Sequence, residues 1–574
     1  MNDSRTRPVL RLEVGSVRLG QFELHGAEQS LGRLSVVPVE GQPFKQALRA
    51  QTRATARTEW NVQIRAPLAG TIKAGDVLLA RFWIRCIESK TGEGFTTFLF
   101  ELARPGWDKC VEVRASGNSH WQQYEVPFRA LRDYGPGDAQ VCFRLGFERQ
   151  TIEIGGLELI NYGKSVSVDE LPRTRITYAG REDHADWRAA AQQRIEQIRK
   201  GDLRVKVQDA SGRPIPGAQV RARMLRHAFG FGSAVDAEEL LGPDPDNRIY
   251  RETFERLFNR AVFENDMKWP QTYYGVPPRV DEAVSWLRER NIAIRGHCLI
   301  WPSWRWLPRD LRNYENDPPE LRRRAAAHIS ELVSHFRGQL IHWDVINEPY
   351  NNHDLMDILG TEVMIEWFQL ARQADPQCKL FLNDYEILCA GGTNRQHQDH
   401  FYNAIRYLID SGAPIDGIGI QSHFGLDVTP PAHMLKILDR FSEFGLPIES
   451  TELSINISDR QLQADFMRDY LTAVLSHPNV HGIMLWGFWE GRHWRPDAAL
   501  FDSNWQLRPH GQVWIDLVHG QWKTDATATT DHSGQALVRG FCGEYEVSAS
   551  VDGRTTVTRT QLPRNGAELT VTVE

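Results

Sequence analysis

Residues 341–348 read Ile-His-Trp-Asp-Val-Ile-Asn-Glu, an apolar, β-rich run that ends in two polar side chains, Asn347 and Glu348. Residues 447–453, Pro-Ile-Glu-Ser-Thr-Glu-Leu, repeat the pattern and place Glu452 near the end of a second run. The chain between the two runs is patterned as further strands and helices. The pattern predicts that two carboxylates converge from the ends of separate strands.

Eight runs of this kind occur between about residue 228 and residue 489, most of them separated by enough chain for a helix. Residues 321–336, for example, have the pattern of an amphipathic helix. Buried strands that alternate with such helices indicate parallel βα units, and eight units in about 250 residues predict an α/β fold, the (β/α)8 TIM barrel. The runs cover 229–235, 260–265, 292–301, 341–348, 380–385, 418–423, 447–453 and 483–489.

Polar and aromatic residues concentrate at the carboxyl ends of these runs. In a (β/α)8 barrel this is the end that carries the active site. A concentration at one end is hard to obtain from packing alone, so the residues are candidates for chemistry. They are Glu264, Asn265, Lys268, His297, Asn347, Glu348, Asn383, Asp384, His423, Glu452 and Trp486.

Several motifs in this region resemble, in order and in spacing, those of glycoside hydrolase family 10, and especially those of its plant-type xylanases. The resemblance covers most of the chain from about residue 200 onward. Besides the run that ends in Asn347-Glu348, the motifs are 264–269 (Glu-Asn-Asp-Met-Lys-Trp), 295–301 (Arg-Gly-His-Cys-Leu-Ile-Trp), 383–385 (Asn-Asp-Tyr), 417–423 (Gly-Ile-Gly-Ile-Gln-Ser-His), 451–453 (Thr-Glu-Leu) and 486–494 (Trp-Gly-Phe-Trp-Glu-Gly-Arg-His-Trp).

The resemblance implies a retaining endo-β-1,4-xylanase that acts on xylan or xylo-oligosaccharides and needs no cofactor and no metal. Retaining glycosidases use two carboxyl groups about 5–5.5 Å apart, one as acid and then base, the other as nucleophile. The resemblance assigns the first role to Glu348 and the second to Glu452. Asn347 is expected to hydrogen-bond the 2-hydroxyl of the sugar, His423 to keep Glu452 ionised, and Asp384 to bond or electrostatically tune the acid.

A second group of residues is expected to bind the sugars. Polar side chains at the ends of the second and third runs resemble the family's clamp on the rings beyond the cleavage point. Two tryptophans in the loop after the eighth run would form a floor and a lid over those rings. The full set is Glu264, Asn265, Lys268, His297, Trp301, Gln421, Trp486 and Trp494.

The chain departs from the family's usual wording at several positions. Pro302 follows Trp301 where a histidine is common, and Ser454 follows Leu453 where an aspartate is usual. Glu490 replaces another aspartate, and Arg492-His493 add charge beside Trp494, which favours decorated or acidic xylan. These departures leave two alternatives open: a family 10 enzyme shifted to another β-glycan or to short oligosaccharides, and a catalytically silent carbohydrate-binding protein.

Composition restricts the partners. The chain has 574 residues and a net charge of −7, with no basic stripe and no long apolar run, so nucleic acid and membrane are poor partners. Its seven scattered cysteines favour reduced thiols. The polar N-terminus lacks the apolar core of a secretion signal, which predicts a cytoplasmic protein, or a secreted one if a leader has been removed. The sequence leaves the oligomeric state unknown.

The pattern outside the barrel predicts three more regions. Residues 1–180 alternate as an antiparallel jelly-roll β-sandwich that resembles a carbohydrate-binding module. Residues 181–202 form a helical linker, with a helix from Asp186 to Lys200 capped by Asp183 or Asp186 and stopped by Gly201. Residues 203–224 and 521–574 form the two parts of a small immunoglobulin-like β-sandwich, into which the barrel of residues 225–520 is inserted.

Overall fold

The computed structural model describes residues 12–13, 22–25, 31–53, 59–89, 94–117, 119–146, 149–174, 177–425, 428–457 and 459–574. Two compact units make up the chain, one of residues 1–177 with the short segment 393–396 and one of the remainder. Each unit has its own arrangement of strands. Among the described residues, every helix is too short or too polar to cross a bilayer.

The first unit consists of antiparallel strands in two sheets. Strands β3-β4-β11-β6-β9, with β1 beside β11, form one sheet, and β2-β5-β10-β7-β8 form the other. One hydrophobic core draws on both sheets, and Phe82 of β6 stacks on Phe98 of β7 at 5.1 Å between ring centroids. The strands are β1 (Leu12–Glu13), β2 (Glu23–His25), β3 (Gly32–Pro38), β4 (Gln46–Thr52), β5 (Gln63–Pro67), β6 (Val77–Ser89), β7 (Gly94–Leu102), β8 (Lys109–Gly117), β9 (Gln122–Arg129), β10 (Ala139–Arg144) and β11 (Gln150–Asn161).

The second unit contains a closed barrel of eight parallel strands, which confirms the predicted (β/α)8 fold. Each predicted run overlaps one strand. The runs 292–301 and 483–489 end too late, because the chain leaves the barrel at Gly296 and Leu485 and the apolar residues that follow lie in loops. The run 483–489 also begins too late, since its strand starts at Val480. The strands are β14 (Gly230–Val235), β15 (Arg260–Phe263), β16 (Ala293–Gly296), β17 (His342–Asn347), β18 (Lys379–Asp384), β19 (Gly417–Phe424), β20 (Ile448–Ile455) and β21 (Val480–Leu485).

Helices surround the barrel, and α6 shows why these segments are helical. Asp317 caps it by accepting a hydrogen bond from the Glu320 N–H, and Leu321, Ala325 and Ile329 form a buried stripe at helical spacing. The helices are α1 (Asp186–Ile198), α2 (Ala237–Leu241), α3 (Pro245–Leu257), α4 (Trp269–Thr272), α5 (Pro278–Glu289), α6 (Pro318–His335), α7 (Asp354–Leu359), α8 (Val363–Ala374), α9 (Arg395–Asp410), α10 (Pro431–Ser442), α11 (Arg460–Ser476) and α12 (Pro509–Trp514), followed by a π-helix over Ile515–Gln521. Short 3-10 helices cover Glu59–Asn61, Val168–Glu170, Arg309–Tyr314, Ala390–Gly392, Glu490–Arg492 and Pro496–Ala498.

Helix α1 corrects two details of the prediction. It begins after Ala185 without a side-chain cap, so neither Asp183 nor Asp186 caps it, and it ends at Ile198. Gly201 lies in the next strand rather than at the helix end, opposite Gly540. A Cβ at Gly201 would lie 2.3 Å from the carbonyl oxygen of Pro563, so the glycine is required by close backbone approach.

The segments that precede and follow the barrel in sequence pair with each other in two further sheets. One has the order β23-β12-β26 and the other β22-β13-β24-β25, so β12 and β13 take their partners from the C-terminal part of the chain. The assignment of these sheets as immunoglobulin-like stays a prediction. The strands are β12 (Lys200–Gln208), β13 (Gln219–His227), β22 (Asp525–Thr529), β23 (Gln535–Phe541), β24 (Gly543–Val551), β25 (Arg554–Leu562) and β26 (Ala567–Thr572).

Removing residues 525–574 should therefore destabilise a protein that keeps its entire barrel. The deletion takes away every strand that pairs with β12 and β13 and exposes their buried apolar residues, such as Val205 and Val220. We expect the melting temperature to fall by more than about 5 °C, or the protein to become insoluble. Thermal denaturation followed by circular dichroism measures the change.

A matched pair of variants in the same sheet controls for this test. Val547 of β24 is fully buried, whereas Val557 of β25 is 55% exposed. Val547→Ala should cost about 1–3 kcal/mol of the free energy of unfolding and Val557→Ala within about 0.5 kcal/mol. A truncated protein as soluble and as heat-stable as the full chain would show that the flanks do not depend on each other.

Candidate active site

A cleft of about 670 Å³ lies at the carboxyl ends of the barrel strands. All but three of the predicted site residues line it. The exceptions, Asn347, Asn383 and Asp384, are fully buried. The lining residues are Glu264, Asn265, Lys268, His297, Trp301, Arg305, Trp306, Glu348, Tyr385, Glu386, Cys389, Ala390, Gln421, His423, Glu452, Trp486, Trp494 and Arg495.

Glu348 is held in an unusual backbone conformation directly after β17. Its φ is 55°, in the left-handed region that residues with a side chain rarely adopt, and its N–H donates to the Asn383 carbonyl at 2.8 Å. Such a conformation costs roughly 1–3 kcal/mol and persists only where the surroundings impose it. The carboxyl group accepts hydrogen bonds from Gln421 Nε2 at 2.9 Å and from Asn352 Nδ2 at 3.2 Å.

Irregular strand pairing orients both glutamates. The pairing of β17 with β18 skips Val345, and the pairing of β19 with β20 skips Thr451, so that Gln421 lies opposite Glu452. An extra residue in a strand bends it and re-aims the side chains that follow. Glu348 and Glu452 each follow such a residue and face the same cleft.

Burial raises the pKa of Glu348 to about 7. The hydrogen bond from Gln421 opposes this shift, while the negative charges of Glu452 and Asp384 add to it. Glu348 is therefore protonated over most of the pH range below neutrality.

Glu452 has the opposite ionisation. Its oxygens accept hydrogen bonds from Asn383 Nδ2 at 2.9 Å and from His423 Nε2 at 3.2 Å. Burial alone would disfavour the charge, but the His423 bond and the positive potential of the nearby histidines and Arg295 outweigh it and lower the pKa of Glu452 to about 2. The site thus pairs a protonated carboxyl group with an ionised one.

Ser454, which departs from the family's usual aspartate, supports His423. Its Oγ lies 3.2 Å from His423 Nδ1, and Trp494 Nε1 donates to the same oxygen at 3.4 Å. When His423 Nε2 carries the proton that bonds Glu452, the serine hydroxyl donates to Nδ1. A hydroxyl therefore orients the imidazole, whereas the resemblance in sequence predicted an aspartate at this position.

Asn383 links the two glutamates, although its neighbour Asp384 was the one predicted to act on the acid. Its Nδ2 bonds both Glu452 and Asn347 Oδ1, the latter at 2.8 Å, and Gln421 connects Asn347 with Glu348. Asn383 pairs with Asn347 across the strands, so both side chains face the same side. The next position in register is Gly419, where a Cβ would lie 2.4 Å from Asn383 Oδ1.

Among the described residues, Asp384 forms no hydrogen bond with Glu348, and it affects the pKa of Glu348 through its negative charge. Its Oδ1 accepts from the Tyr385 N–H at 2.9 Å and lies 3.1 Å from Nε2 of His397. The ring of His397 stacks on Tyr350 at 3.9 Å between centroids. The charge of Asp384 adds to the rise in the pKa of Glu348 that burial causes, in line with the electrostatic alternative, and the role of Asp384 stays a prediction.

Two buried ion pairs lie inside the barrel next to the cleft. Arg295 pairs with Asp344, which also binds His297 Nδ1 at 2.8 Å, and Arg260 pairs with Glu449. Buried ion pairs contribute little net stability, because each ion is costly to desolvate. Here they orient His297 in the cleft and place the Arg295 charge near Glu452. Arg295 belongs to one of the motifs, but no sequence signal indicated its pairing with Asp344.

Aromatic rings form the walls. On one side Trp301 and Trp306 stack at 4.1 Å, and the Lys268 ammonium lies 5.0 Å from the Trp301 ring. On the other side Trp486 is buried against the edge of His297, whereas Trp494 is 48% exposed beside His423. Flat apolar faces next to polar side chains suit sugar rings.

The charges expected beside Trp494 do not serve the cleft. Arg492 pairs with Asp236 at 3.1 Å and with Glu238 at 3.4 Å, and Glu490 pairs with Arg508 at 2.8 Å. Burial lowers the pKa of His493 to about 3, so that residue is neutral. His493 therefore adds no charge beside Trp494, and the charge of Arg492 is balanced by Asp236 and Glu238, which the sequence alone did not reveal. Arg495, the next cation along the chain, does line the cleft.

Within the part of the chain that the structure describes, no group of three or more His, Cys, Asp or Glu side chains is arranged to hold a metal ion.

Known proteins resemble this chain mainly over the barrel. Glycosyl hydrolase family 10 matches residues 221–516. The anti-sigma-I factor RsgI6 of Acetivibrio thermocellus is 34% identical over 389 residues, 67% of this chain and 49% of that protein. Endo-1,4-beta-xylanase 1 of Arabidopsis thaliana is 29% identical over 372 residues, 64% of this chain and 38% of that protein. This chain thus spans half or less of these two relatives.

The crystal structure of xylanase 10B from Thermotoga petrophila in complex with xylobiose is 27% identical, with a TM-score of 0.47, and covers 51% of this chain and 95% of that one. The family match extends over more than half of the 574 residues and contains every residue of the cleft. The chain is a member of glycosyl hydrolase family 10.

Proposed function

We propose that the protein is a retaining endo-1,4-β-xylanase, in which Glu348 is the acid/base and Glu452 the nucleophile. The observation that carries the proposal is the pair of opposite ionisation states in one cleft, with a pKa of about 7 for Glu348 and of about 2 for Glu452. Two carboxyl groups whose environments separate their pKa values are what acid-assisted displacement requires. Family membership and the similarity to an Arabidopsis endo-1,4-beta-xylanase support xylan as the substrate class.

In the first step Glu348 donates its proton to the glycosidic oxygen while a Glu452 oxygen attacks the anomeric carbon. The bond to the leaving oxygen breaks, the first sugar product departs with the proton, and a covalent glycosyl ester on Glu452 remains. The hydrogen bonds to Glu452 from Asn383 and His423 hold its carboxylate toward the cleft. Orientation of this kind supplies part of the rate enhancement.

In the second step Glu348, now ionised, takes a proton from water as the water oxygen attacks the anomeric carbon. The ester bond to Glu452 breaks, and the second product leaves with its original configuration. Glu348 regains its proton and Glu452 its charge, so the cycle closes.

The remaining cleft residues, together with the buried Asn347 next to the cleft, are proposed to bind sugars. Asn347 Nδ2 is buried and has no hydrogen-bond partner among the described residues, which suits donation to the 2-hydroxyl next to the reacting carbon. Lys268 and Asn265, bonded to each other at 2.9 Å, present polar atoms to hydroxyl groups farther along. A site built to bond hydroxyl groups rejects analogues that lack them.

Release of reducing sugar from xylan, compared with mixed-linkage β-glucan and xylotriose, tests the proposal. A xylanase releases sugar fastest from xylan. Faster release from glucan or from the trimer alone points to a shifted family 10 enzyme. Absence of release from all three, with retained binding of xylo-oligosaccharides, points to a silent binding protein.

We also propose that the two sheets of the first unit form a jelly-roll sandwich similar to a carbohydrate-binding module, and that the barrel is inserted in an immunoglobulin-like sandwich. The shared core of the first two sheets and the pairing of strands from both flanks support these assignments. Trp60, 52% exposed, and Trp107, 42% exposed, are the residues of the first unit to substitute in a test of sugar binding.

Asp384→Asn should move the alkaline limb of activity to lower pH by roughly 0.5–1 unit. Asp384 raises the pKa of Glu348 through its negative charge, so removing that charge makes the proton on Glu348 easier to lose. The pH profile of kcat/KM on a xylo-oligosaccharide measures the limb. Asp357→Asn, an exposed position on α7, should leave the limb in place because solvent screens its charge. An unchanged or higher limb in Asp384→Asn would exclude the electrostatic role.

A further inference from the structure

Three cations in the cleft each lie over an indole ring. Lys268 Nζ is 5.0 Å from the centroid of Trp301, Arg305 Cζ is 4.5 Å from that of Trp306, and Arg495 Cζ is 4.2 Å from that of Trp494. Trp301 and Trp306 are themselves stacked within 13° of parallel. One wall of the cleft is thus a continuous column of cation, two indoles and cation.

The two ends of this column differ. The Lys268 ammonium donates to Asn265 Oδ1 at 2.9 Å, and its positive charge interacts electrostatically with the Glu264 carboxyl group. Arg305 is exposed, lines the cleft, and has no ion pair or side-chain hydrogen bond among the described residues. Its guanidinium group is therefore held by Trp306 while its N–H donors remain available to a bound molecule.

An unsubstituted, neutral xylose chain has no group that pairs with the positive charge of Arg305. The backbone of β-1,4-linked xylose carries hydroxyl and ether oxygens only, so a fixed guanidinium group beyond the polar clamp meets no opposite charge from it. The guanidinium plane matches a carboxylate with two parallel hydrogen bonds, the strongest pairing available to arginine. The natural ligand of such a position is a carboxylate attached to the sugar chain as a substituent.

We propose that Arg305 binds the carboxylate of a uronic acid side group on the xylan chain, so that the cleft prefers acidic over unsubstituted xylo-oligosaccharides. The inference rests on the proposed xylanase function and extends it to the class of substrate. Arg495 on the opposite wall adds a second positive charge to the same cleft. The protein has a net charge of −7, which repels an acidic polymer in general, so attraction must come from local cations of this kind.

The test compares two substrates that share one backbone, a linear xylo-oligosaccharide and the same oligosaccharide carrying a single glucuronosyl group. The ratio of their kcat/KM values is measured for the wild type, Arg305→Gln, Arg305→Lys and Arg309→Gln. Arg309 is an exposed arginine of the neighbouring 3-10 helix that does not line the cleft, so it controls for loss of a positive charge.

Arg305→Gln should lower the ratio of acidic to linear substrate by about ten-fold or more, mainly through KM, because it removes a charge-assisted hydrogen bond. Arg305→Lys should retain part of the preference, since it keeps the charge without the planar fork, and Arg309→Gln should leave the ratio within two-fold. Raising the salt concentration should weaken the wild-type preference.

Binding to the Glu452→Ala protein separates this inference from the proposed function. Calorimetry gives the Kd of both oligosaccharides for Glu452→Ala with and without Arg305→Gln, and no turnover is needed. If neither substrate is hydrolysed by the wild type but acidic binding depends on Arg305, the xylanase proposal fails and the carboxylate site stands. If Arg305→Gln, with an unchanged melting temperature, leaves both ratios unchanged, the carboxylate site is refuted.

Discussion

Glu452→Ala should lower kcat on xylan by at least about 10⁴-fold, because the methyl group cannot form the glycosyl ester through which both steps pass. Glu452 lies in β20, and the hydrogen bonds from Asn383 and His423 to its two carboxylate oxygens orient it for attack. Steady-state release of reducing sugar, with an unchanged circular dichroism spectrum as the control for folding, measures the loss.

Azide should restore part of this activity and reveal the face of attack. The small anion fits the space left by the carboxylate and attacks the anomeric carbon directly, while Glu348 still protonates the leaving oxygen. One displacement inverts the configuration, so the product should be the inverted glycosyl azide. Nuclear magnetic resonance of the product distinguishes the two anomers.

Glu348→Ala provides the matched control. There the nucleophile is intact, the glycosyl ester forms from substrates with good leaving groups, and azide attacks that ester from the other face. The azide product should keep the original configuration. Wild-type-like turnover in Glu452→Ala, or the same anomer from both variants, would remove Glu452 from the role of nucleophile.

The barrel could be predicted because its signal is local and repeated. Eight apolar runs at the spacing of βα units leave few alternatives, and each run overlaps an observed strand. The ends of the strands were harder to predict than the strands themselves. Apolar residues such as those after Leu485 belong to loops at the cleft and do not continue the strand. Periodicity reports burial, and burial continues past the last hydrogen-bonded pair.

The site was predictable as a set of residues, whereas their partners were not. Whether Asp384 or Asn383 bridges the glutamates depends on how the strands pair. Val345 has no partner in the pairing of β17 with β18, and Thr451 has none in the pairing of β19 with β20. Whether Arg492 or Arg305 adds charge to the cleft depends on acidic neighbours distant in sequence, such as Asp236. Pairwise electrostatics depends on distance and burial, and single-sequence patterns carry neither.

The pH dependence of activity follows from the two ionisation states. Glu348 must carry its proton, so activity should fall as the pH rises through about 7, and Glu452 must be ionised, so activity should fall as the pH drops toward about 2. The profile of kcat/KM should be a broad bell. The two groups titrate as a pair, so the limbs report macroscopic values.

Glu348→Gln should remove the alkaline limb and separate substrates by leaving group. On xylan, whose leaving oxygen needs a proton, kcat/KM should fall by about 10²–10⁴-fold.

On an aryl xylobioside, whose phenolate leaves without assistance, the first step should stay close to the wild-type rate and lose its dependence on pH near 7. Without a base to activate water the glycosyl ester should then persist, giving a burst of phenol that equals the enzyme concentration, visible by stopped flow and by mass spectrometry of the intact protein. The glutamine keeps the volume of Glu348, and its amide oxygen can still accept the hydrogen bond from Gln421, so the strained backbone after β17 should be preserved. Equal slowing of the first step for phenolate and sugar leaving groups would mean that the proton comes from another group.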